Sequence, residues 1–139
     1  MNKKSRFRQI HTSNPDYCLD VYGGLKKSNV PIISFKCHTG TNQKFLYNKK
    51  TKQIQAKHSK KCFDTKKQKV VQKKCNTRKK SQKWNYKNKK WISLKNKQCL
   101  DVMGGHYDNG SMIVYPCHKG RNQQFTPLHI SLRSKRASF

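Results

Sequence analysis

Apolar residues along this chain come in short runs. Examples are Pro31-Ile32-Ile33-Ser34-Phe35, Lys90-Trp91-Ile92-Ser93-Leu94 and Ser111-Met112-Ile113-Val114-Tyr115, set apart by Gly, Asn and Lys turns. Runs of this kind, rich in β-branched and aromatic side chains and closed by turn formers, predict strands. No window keeps apolar residues at a 3.6-residue period over a useful length, so amphipathic helices are not expected. No stretch approaches the apolar length needed to span a bilayer. The pattern predicts an all-β protein.

The runs belong to a larger period. Cys18-Leu19-Asp20-Val21-Tyr22-Gly23-Gly24 returns as Cys99-Leu100-Asp101-Val102-Met103-Gly104-Gly105, and the shorter Cys62-Phe63-Asp64-Thr65 lies between them. Downstream of each comes a Gln-x-aromatic motif: Gln43-Lys44-Phe45, Gln82-Lys83-Trp84 and Gln123-Gln124-Phe125, spaced 39 and 41 residues apart. The chain therefore divides into units 6–47, 48–86 and 87–127, with a basic end at 1–5 and a basic tail at 128–139. One unit of about four strands cannot bury its few apolar residues alone. Three around a common axis can share one core, which predicts threefold pseudosymmetry. Phe45, Trp84 and Phe125 are the expected core contributors.

Composition changes this picture in two ways. The 139 residues hold 33 Lys and Arg against 5 acids, a net charge of +28, and every acid is Asp. Leu, Ile, Val and Phe make up less than a fifth of the chain, which by itself would place it among disordered sequences. The six cysteines oppose that placement. One precedes the Asp of each unit and another follows the third strand, so the expected bridges are Cys18–Cys37, Cys62–Cys75 and Cys99–Cys117. Each would contribute about 3 kcal/mol in the chain-entropy model. The rival zinc reading, prompted by Cys37-His38 and Cys117-His118, lacks any Cys-x-x-Cys or His-x-x-x-His spacing. No metal and no cofactor are expected. Disulfides imply an oxidising compartment, so a secreted or secretory-lumen location is expected. The N-terminal segment has no apolar run behind its basic start, which implies a trimmed leader or a piece of a larger secretory protein.

Three repeats opening on Cys-Leu-Asp and closing on Gln-x-Trp/Phe resemble the ricin B-type lectin β-trefoil family. The third unit, with Asn109-Gly110-Ser111-Met112-Ile113-Val114-Tyr115-Pro116-Cys117-His118 and Asn122-Gln123-Gln124-Phe125, most resembles the lectin domain of polypeptide N-acetylgalactosaminyltransferases. The resemblance implies a β-trefoil and a sugar site in each complete repeat. Its members hold the sugar with an Asp after Cys-Leu, an aromatic two before the second Cys, the following His, and the Asn before Gln. Carried over, the implied sites are Asp20, Phe35, His38 and Asn42 in the first unit and Asp101, Tyr115, His118 and Asn122 in the third. The second keeps Asp64 but has Lys73, Asn76 and Ser81 at the other positions, so two working sites are expected. The ricin-type Gln four residues before the second Cys is replaced by Ile33, Val71 and Ile113, which favours the transferase-like form of the site.

The remaining polar residues have simpler readings. Asp64 is expected to act only as a turn residue bonding its own backbone. Gly23-Gly24 and Gly104-Gly105 are expected in turns at positive φ. Asp108 is expected beside the third site, in a turn with Asn109-Gly110. His11, His58, His106 and His129 belong to no constellation and are expected at the surface or in packing.

The middle unit holds 15 of the 33 Lys and Arg and a single Asp. Its pairs Lys49-Lys50, Lys60-Lys61, Lys66-Lys67, Lys73-Lys74 and Lys79-Lys80 either simply solvate the fold or form an anion surface for sulfated or sialylated glycans, acidic membranes or nucleic acid. Nucleic acid is not the expected partner, because most aromatics are already assigned to strands or sugar sites. No nucleophile, base and orienting group recur together, so the chain is not expected to be an enzyme by itself. The expected function is a monomeric lectin module for galactose- or N-acetylgalactosamine-containing glycans, using sites in units one and three. The competing readings are a polyanion binder, the lectin module of a glycosyltransferase with catalysis upstream of Met1, and a protein-binding or toxin-delivery module on the same scaffold.

Overall fold

The computed structural model describes residues 6–127; the expected basic end and tail, and His129, lie outside them. Twelve strands run through the described residues: β1 (Ile10–Thr12), β2 (Tyr17–Val21), β3 (Ile32–Lys36), β4 (Phe45–Asn48), β5 (Gln53–Ala56), β6 (Cys62–Lys66), β7 (Lys69–Lys73), β8 (Trp84–Lys87), β9 (Lys90–Ser93), β10 (Cys99–Val102), β11 (Gly110–Tyr115) and β12 (Phe125–Pro127). Among the described residues the only helical segments are three-residue 3₁₀ turns. All strand pairs are antiparallel.

Two layers of hairpins make the β-trefoil. β12 pairs with β1, β4 with β5 and β8 with β9. These hairpins close into a barrel through one repeated backbone bond: the N–H groups of Phe45, Trp84 and Phe125 donate to the carbonyls of Arg8, Lys52 and Lys89, each at 2.8 Å. The hairpins β2–β3, β6–β7 and β10–β11 form the cap, in one register. Asp20 faces Ile33, Asp64 faces Val71 and Asp101 faces Ile113.

The core lies inside this arrangement and follows the repeat. Leu19, Phe63 and Leu100, the residues after each first cysteine, are fully buried together with Ile54, Trp84 and Phe125. Phe45 is buried with them and packs edge-on to Phe63 at 5.1 Å. Below, Trp91 contacts Tyr47 and Tyr86, with ring centroids 4.8 and 4.5 Å away. The two tyrosines keep their hydroxyls satisfied by donating to the carbonyls of Trp84 and Phe125. All three bridges form as the spacing predicts, Cys18–Cys37, Cys62–Cys75 and Cys99–Cys117, and no free cysteine remains. Each ties the start of a cap hairpin to its end. The next few residues of the chain, which carry half of every candidate site, are thereby held against the hairpin.

Candidate functional site

Each repeat places its Asp on the first strand of the cap hairpin, facing the loop that follows the second cysteine. The carboxylate is almost fully buried in all three: Asp20 is 3% exposed, Asp64 1% and Asp101 2%. Burial on this scale costs free energy unless the oxygens are hydrogen-bonded. The Gln of each Gln-x-aromatic motif supplies the partner. Gln43 Nε2 donates to Asp20 Oδ2 at 2.8 Å and to the Lys36 carbonyl, while Gln43 Oε1 accepts the His38 N–H at 2.8 Å. Gln123 does the same with Asp101, Pro116 and His118, and Gln82 with Asp64, Lys74 and Asn76. These glutamines are fully buried and pin the loop to the hairpin. Sequence reasoning valued the motif for its aromatic and missed the Gln as a positioning residue. The signal was present, since a polar residue recurs unchanged in all three repeats.

The first and third repeats then add the same further groups. Asn42 Nδ2 donates to Asp20 Oδ1 at 3.2 Å and to the Val21 carbonyl, and Asn122 Nδ2 donates to Asp101 Oδ1 at 3.0 Å and to the Val102 carbonyl. Both amide donors are used, so each Asn is held with its Oδ1 still available. His38 Nδ1 accepts the Gly40 N–H at 2.9 Å, and His118 Nδ1 accepts the Gly120 N–H at 2.8 Å. That bond puts the proton of the neutral ring on Nε2, which faces Asp20 Oδ2 at 3.4 Å and Asp101 Oδ2 at 3.6 Å. Phe35 and Tyr115 stand beside these imidazoles with identical ring separations of 6.2 Å, nearly edge to face. The structure thus brings together all eight predicted residues in two equivalent clusters. Around the first lies a concavity lined by Asp20, Ile33, Phe35, His38 and Asn42, with Tyr22, Gly23 and Gly24 as the opposite wall. Gly23 and Gly104 adopt φ of 61° and 63°, as their turn reading requires.

Gly40 and Gly120 are a second omission from the sequence reading. A Cβ at Gly40 would lie 2.8 Å from His38 Cε1 and 2.9 Å from Asn42 Oδ1, and one at Gly120 would lie 2.6 and 2.8 Å from the same atoms of His118 and Asn122. No side chain fits there while the His and Asn keep their places.

The second repeat has Lys79 at this position, three residues before its Gln, and its loop is one residue longer. Lys79 Nζ lies 2.9 Å from Asp64 Oδ2. The Thr65 N–H donates to Asp64 Oδ1 at 2.7 Å, so the expected turn role is real but incomplete. Asp64 is also the anion of an ion pair, and Lys79, its side chain 40% exposed, reaches that carboxylate from the basic surface it shares with Lys73 and Lys74. The 3₁₀ wall is missing as well, because β6 and β7 are joined by a tight turn at Lys67-Gln68. Electrostatics follows this difference. Burial raises the Asp20 carboxyl, only partly offset by Gln43 and His38, and it sits above the ordinary carboxylate range. Burial also pushes Asp64 up, but Lys79, Ser81, Gln82 and the Thr65 N–H together outweigh it and hold Asp64 below that range.

Two expectations about neighbouring residues need correction or detail. Asp108 was expected beside the third site, but the turn it belongs to docks on the first repeat: Gly110 pairs with Ser34, Ser111 with Ile33, and Asn109 lines the first concavity. The end of the connection that leads into β11 packs on the neighbouring repeat, so that turn borders the first site. His11 lies 3.7 Å from Cys18 Sγ and 3.8 Å from Cys37 Sγ, but both sulfurs are in a disulfide and offer no thiolate for a metal.

The model of the ricin-type β-trefoil lectin domain matches residues 6–125. Among curated proteins, no sequence matches the chain. Among solved structures, it is similar to the C-half of the earthworm R-type lectin in complex with GalNAc, at TM-score 0.78 and 19% identity over 88% of this chain and 97% of that one. It is similar to the β-trefoil lectin of the Vibrio vulnificus hemolysin/cytolysin, solved with N-acetyl-D-lactosamine, at TM-score 0.76 and 23% identity over 90% and 95%. It is also similar to the agglutinin from Abrus precatorius, at TM-score 0.78 and 19% identity over 91% and 49%. Fold, disulfides, repeat motifs and family match agree: the chain belongs to the ricin-type β-trefoil lectin domain family.

Proposed function

We propose that this protein is a carbohydrate-binding module that takes galactose- or N-acetylgalactosamine-type termini at two sites, Asp20/Phe35/His38/Asn42 and Asp101/Tyr115/His118/Asn122. The observation that carries the reading is the equivalence of these two clusters, set against the second repeat, where Lys79 occupies the corresponding carboxylate. An ionised carboxylate has no proton to donate, so it accepts hydrogen bonds from two neighbouring sugar hydroxyls, and its charge strengthens them. Asn Oδ1 accepts from the same group of hydroxyls. The aromatic, half-buried at Phe35 and exposed at Tyr115, covers the C–H face that an axial 4-hydroxyl leaves flat. Solved relatives of this fold carry GalNAc, N-acetyl-D-lactosamine and α-methyl-D-galactoside, which supports the sugar class. Such sites are open and wet, so each binds weakly, and two on one module gain strength on a multivalent glycan. The disulfides and fold favour action outside the cytosol.

A glycan array carrying heparin and nucleic-acid spots, read at low and high salt, tests this reading. Galactose-type signals that survive salt, weaken in Asp20→Ala and in Asp101→Ala, and vanish in the double variant are the expected result. Signals that all collapse with salt and are unchanged in the variants would refute it.

A further inference from the structure

The two open sites share their hydrogen-bonding groups but not their surroundings. Below the first site, Gln9 Nε2 donates to the His38 carbonyl at 2.8 Å; below the third, Lys90 Nζ donates to the His118 carbonyl at 2.6 Å. In the loop itself, between His and Gly, the first site has Thr39 and the third has Lys119, both exposed.

The outer edge of each site comes from another repeat, and the strand register shows which residues supply it. The third repeat docks on β3 with Gly110 opposite Ser34 and Ser111 opposite Ile33. The second repeat docks on β11 in the same register: Lys69 lies opposite Ile113, and the Gln68 carbonyl accepts the Val114 N–H at 2.9 Å. Counting back from these pairs, Asn109 at φ 57° and Lys67 at φ 60° are equivalent turn residues, preceded by Asp108 and Lys66. Asn109 lines the first site. Lys67 therefore holds the corresponding edge of the third.

Three positions thus change together between the sites: Gln9, Thr39 and Asn109 around the first become Lys90, Lys119 and Lys67 around the third. Where the first site has no base, the third has three. Arg121, in place of Thr41, faces a separate groove with His11 and Lys89 and is not counted. Cations clustered beside a site raise the local concentration and affinity of anions. From this placement we infer that the third site selects galactose-type sugars bearing an anionic substituent, a sulfate ester or a carboxylate, while the first takes neutral ones. The inference rests on the galactose reading above and gives the two sites different ligands. It also gives Lys67 of the middle repeat a role in its neighbour's specificity.

Backbone-amide NMR on the unmodified protein resolves the two sites through the loops His38–Asn42 and His118–Asn122. The probes are methyl galactoside, its 6-O-sulfate, methyl galacturonide, N-acetyllactosamine with and without a 6-O-sulfate, and inorganic sulfate alone. A few exposed charge pairs predict about a tenfold preference of the third site for the anionic sugars at low salt, against none at the first. The preference should fade by about 0.5 M salt, where screening is nearly complete. The combined variant Lys67→Asn, Lys90→Gln and Lys119→Thr, which gives the third site the residues of the first, should lower its ratio of anionic to neutral affinity to that of the first site. Equal discrimination at the two sites, a preference that survives this variant, or inorganic sulfate binding as tightly as the sulfated sugars would overturn the inference while leaving the galactose reading intact. No galactoside response at either loop would overturn the galactose reading itself.

Discussion

The second repeat differs from the other two in what neutralises its buried carboxylate. Asp64 has a cation of its own chain, Lys79, 2.9 Å away. Asp20 and Asp101 are instead met by Asn and Gln amides and an imidazole. Yet all three keep the same Asp–Gln contact, with the Gln bridging carboxylate, carbonyl and loop N–H. This separates two roles that a ligand site alone would blur. The Asp–Gln pair belongs to the fold, because it fastens the post-cysteine loop to its hairpin whether or not anything binds. The His, the Asn, the aromatic and the side-chain-free glycine are what the open repeats add. A repeat that loses those additions keeps its Asp and has to satisfy it, and Lys79 does so.

The largest expected effects fall on what the repeats share. Replacing both cysteines of any one bridge by Ala should cost about 3 kcal/mol in denaturant unfolding. Loops of 13 and 19 residues should differ by only about 0.3 kcal/mol, so equal losses in the second and first repeats are the expected result. A much smaller loss in the second would mean that its loop is held by Lys79 and not by the bridge.

Next come the glutamines. Gln82→Ala and Gln123→Ala should each cost about 2 kcal/mol, because buried partners lose their hydrogen bonds. Only Gln123→Ala should also lower sugar binding, by releasing Asp101. Titrating both variants with a galactoside separates the fold role from the ligand role; an equal binding loss would erase the distinction.

Lys79→Ala should cost about 1–2 kcal/mol, a buried-pair value reduced because the Lys79 side chain is 40% exposed. It should not create a third sugar site, since the second repeat also lacks the 3₁₀ wall and has Lys73 in place of the aromatic. A galactoside response at residues 76–82 in this variant would show that the lysine alone closes the site.

The smallest effect is the dependence on pH. Asp64 is held below its ordinary range, so the stability it contributes is present above that range and is lost only as pH falls through its lowered value. Asp20 lies above its ordinary range, so its ionised form, the one the proposed sugar site requires, disappears first on acidification. Affinity at the first site should fade at a pH where the Asp64–Lys79 pair is still intact. Galactoside titrations at stepped pH, with unfolding followed in parallel, check the order.

Much of this could be read from the chain. Short apolar runs, three Cys-Leu/Phe-Asp starts and three Gln-x-aromatic ends led to the trefoil, the disulfide pairing and the eight residues the structure gathers. The same reading took Asp64 for a turn residue alone and did not foresee that Lys79 would pair with it. A lysine's role depends on where its Cα stands, and that position follows from a loop one residue longer than its counterparts. It also put Asp108 at its own repeat's site, because sequence proximity says nothing about which neighbour a hairpin tip meets.

The sequence by itself determined the architecture, since a period of about 40 residues with fixed cysteines admits few ways to bury so thin a core. It also determined which side chains each repeat can offer. Only the tertiary structure decided which carboxylates stay open, and whose turn forms the edge of each site. Those outcomes depend on contacts between residues far apart in the chain, Lys79 with Asp64 and the second repeat's turn with the third repeat's strand. They are fixed by the docking of one hairpin on the next, which no local pattern encodes.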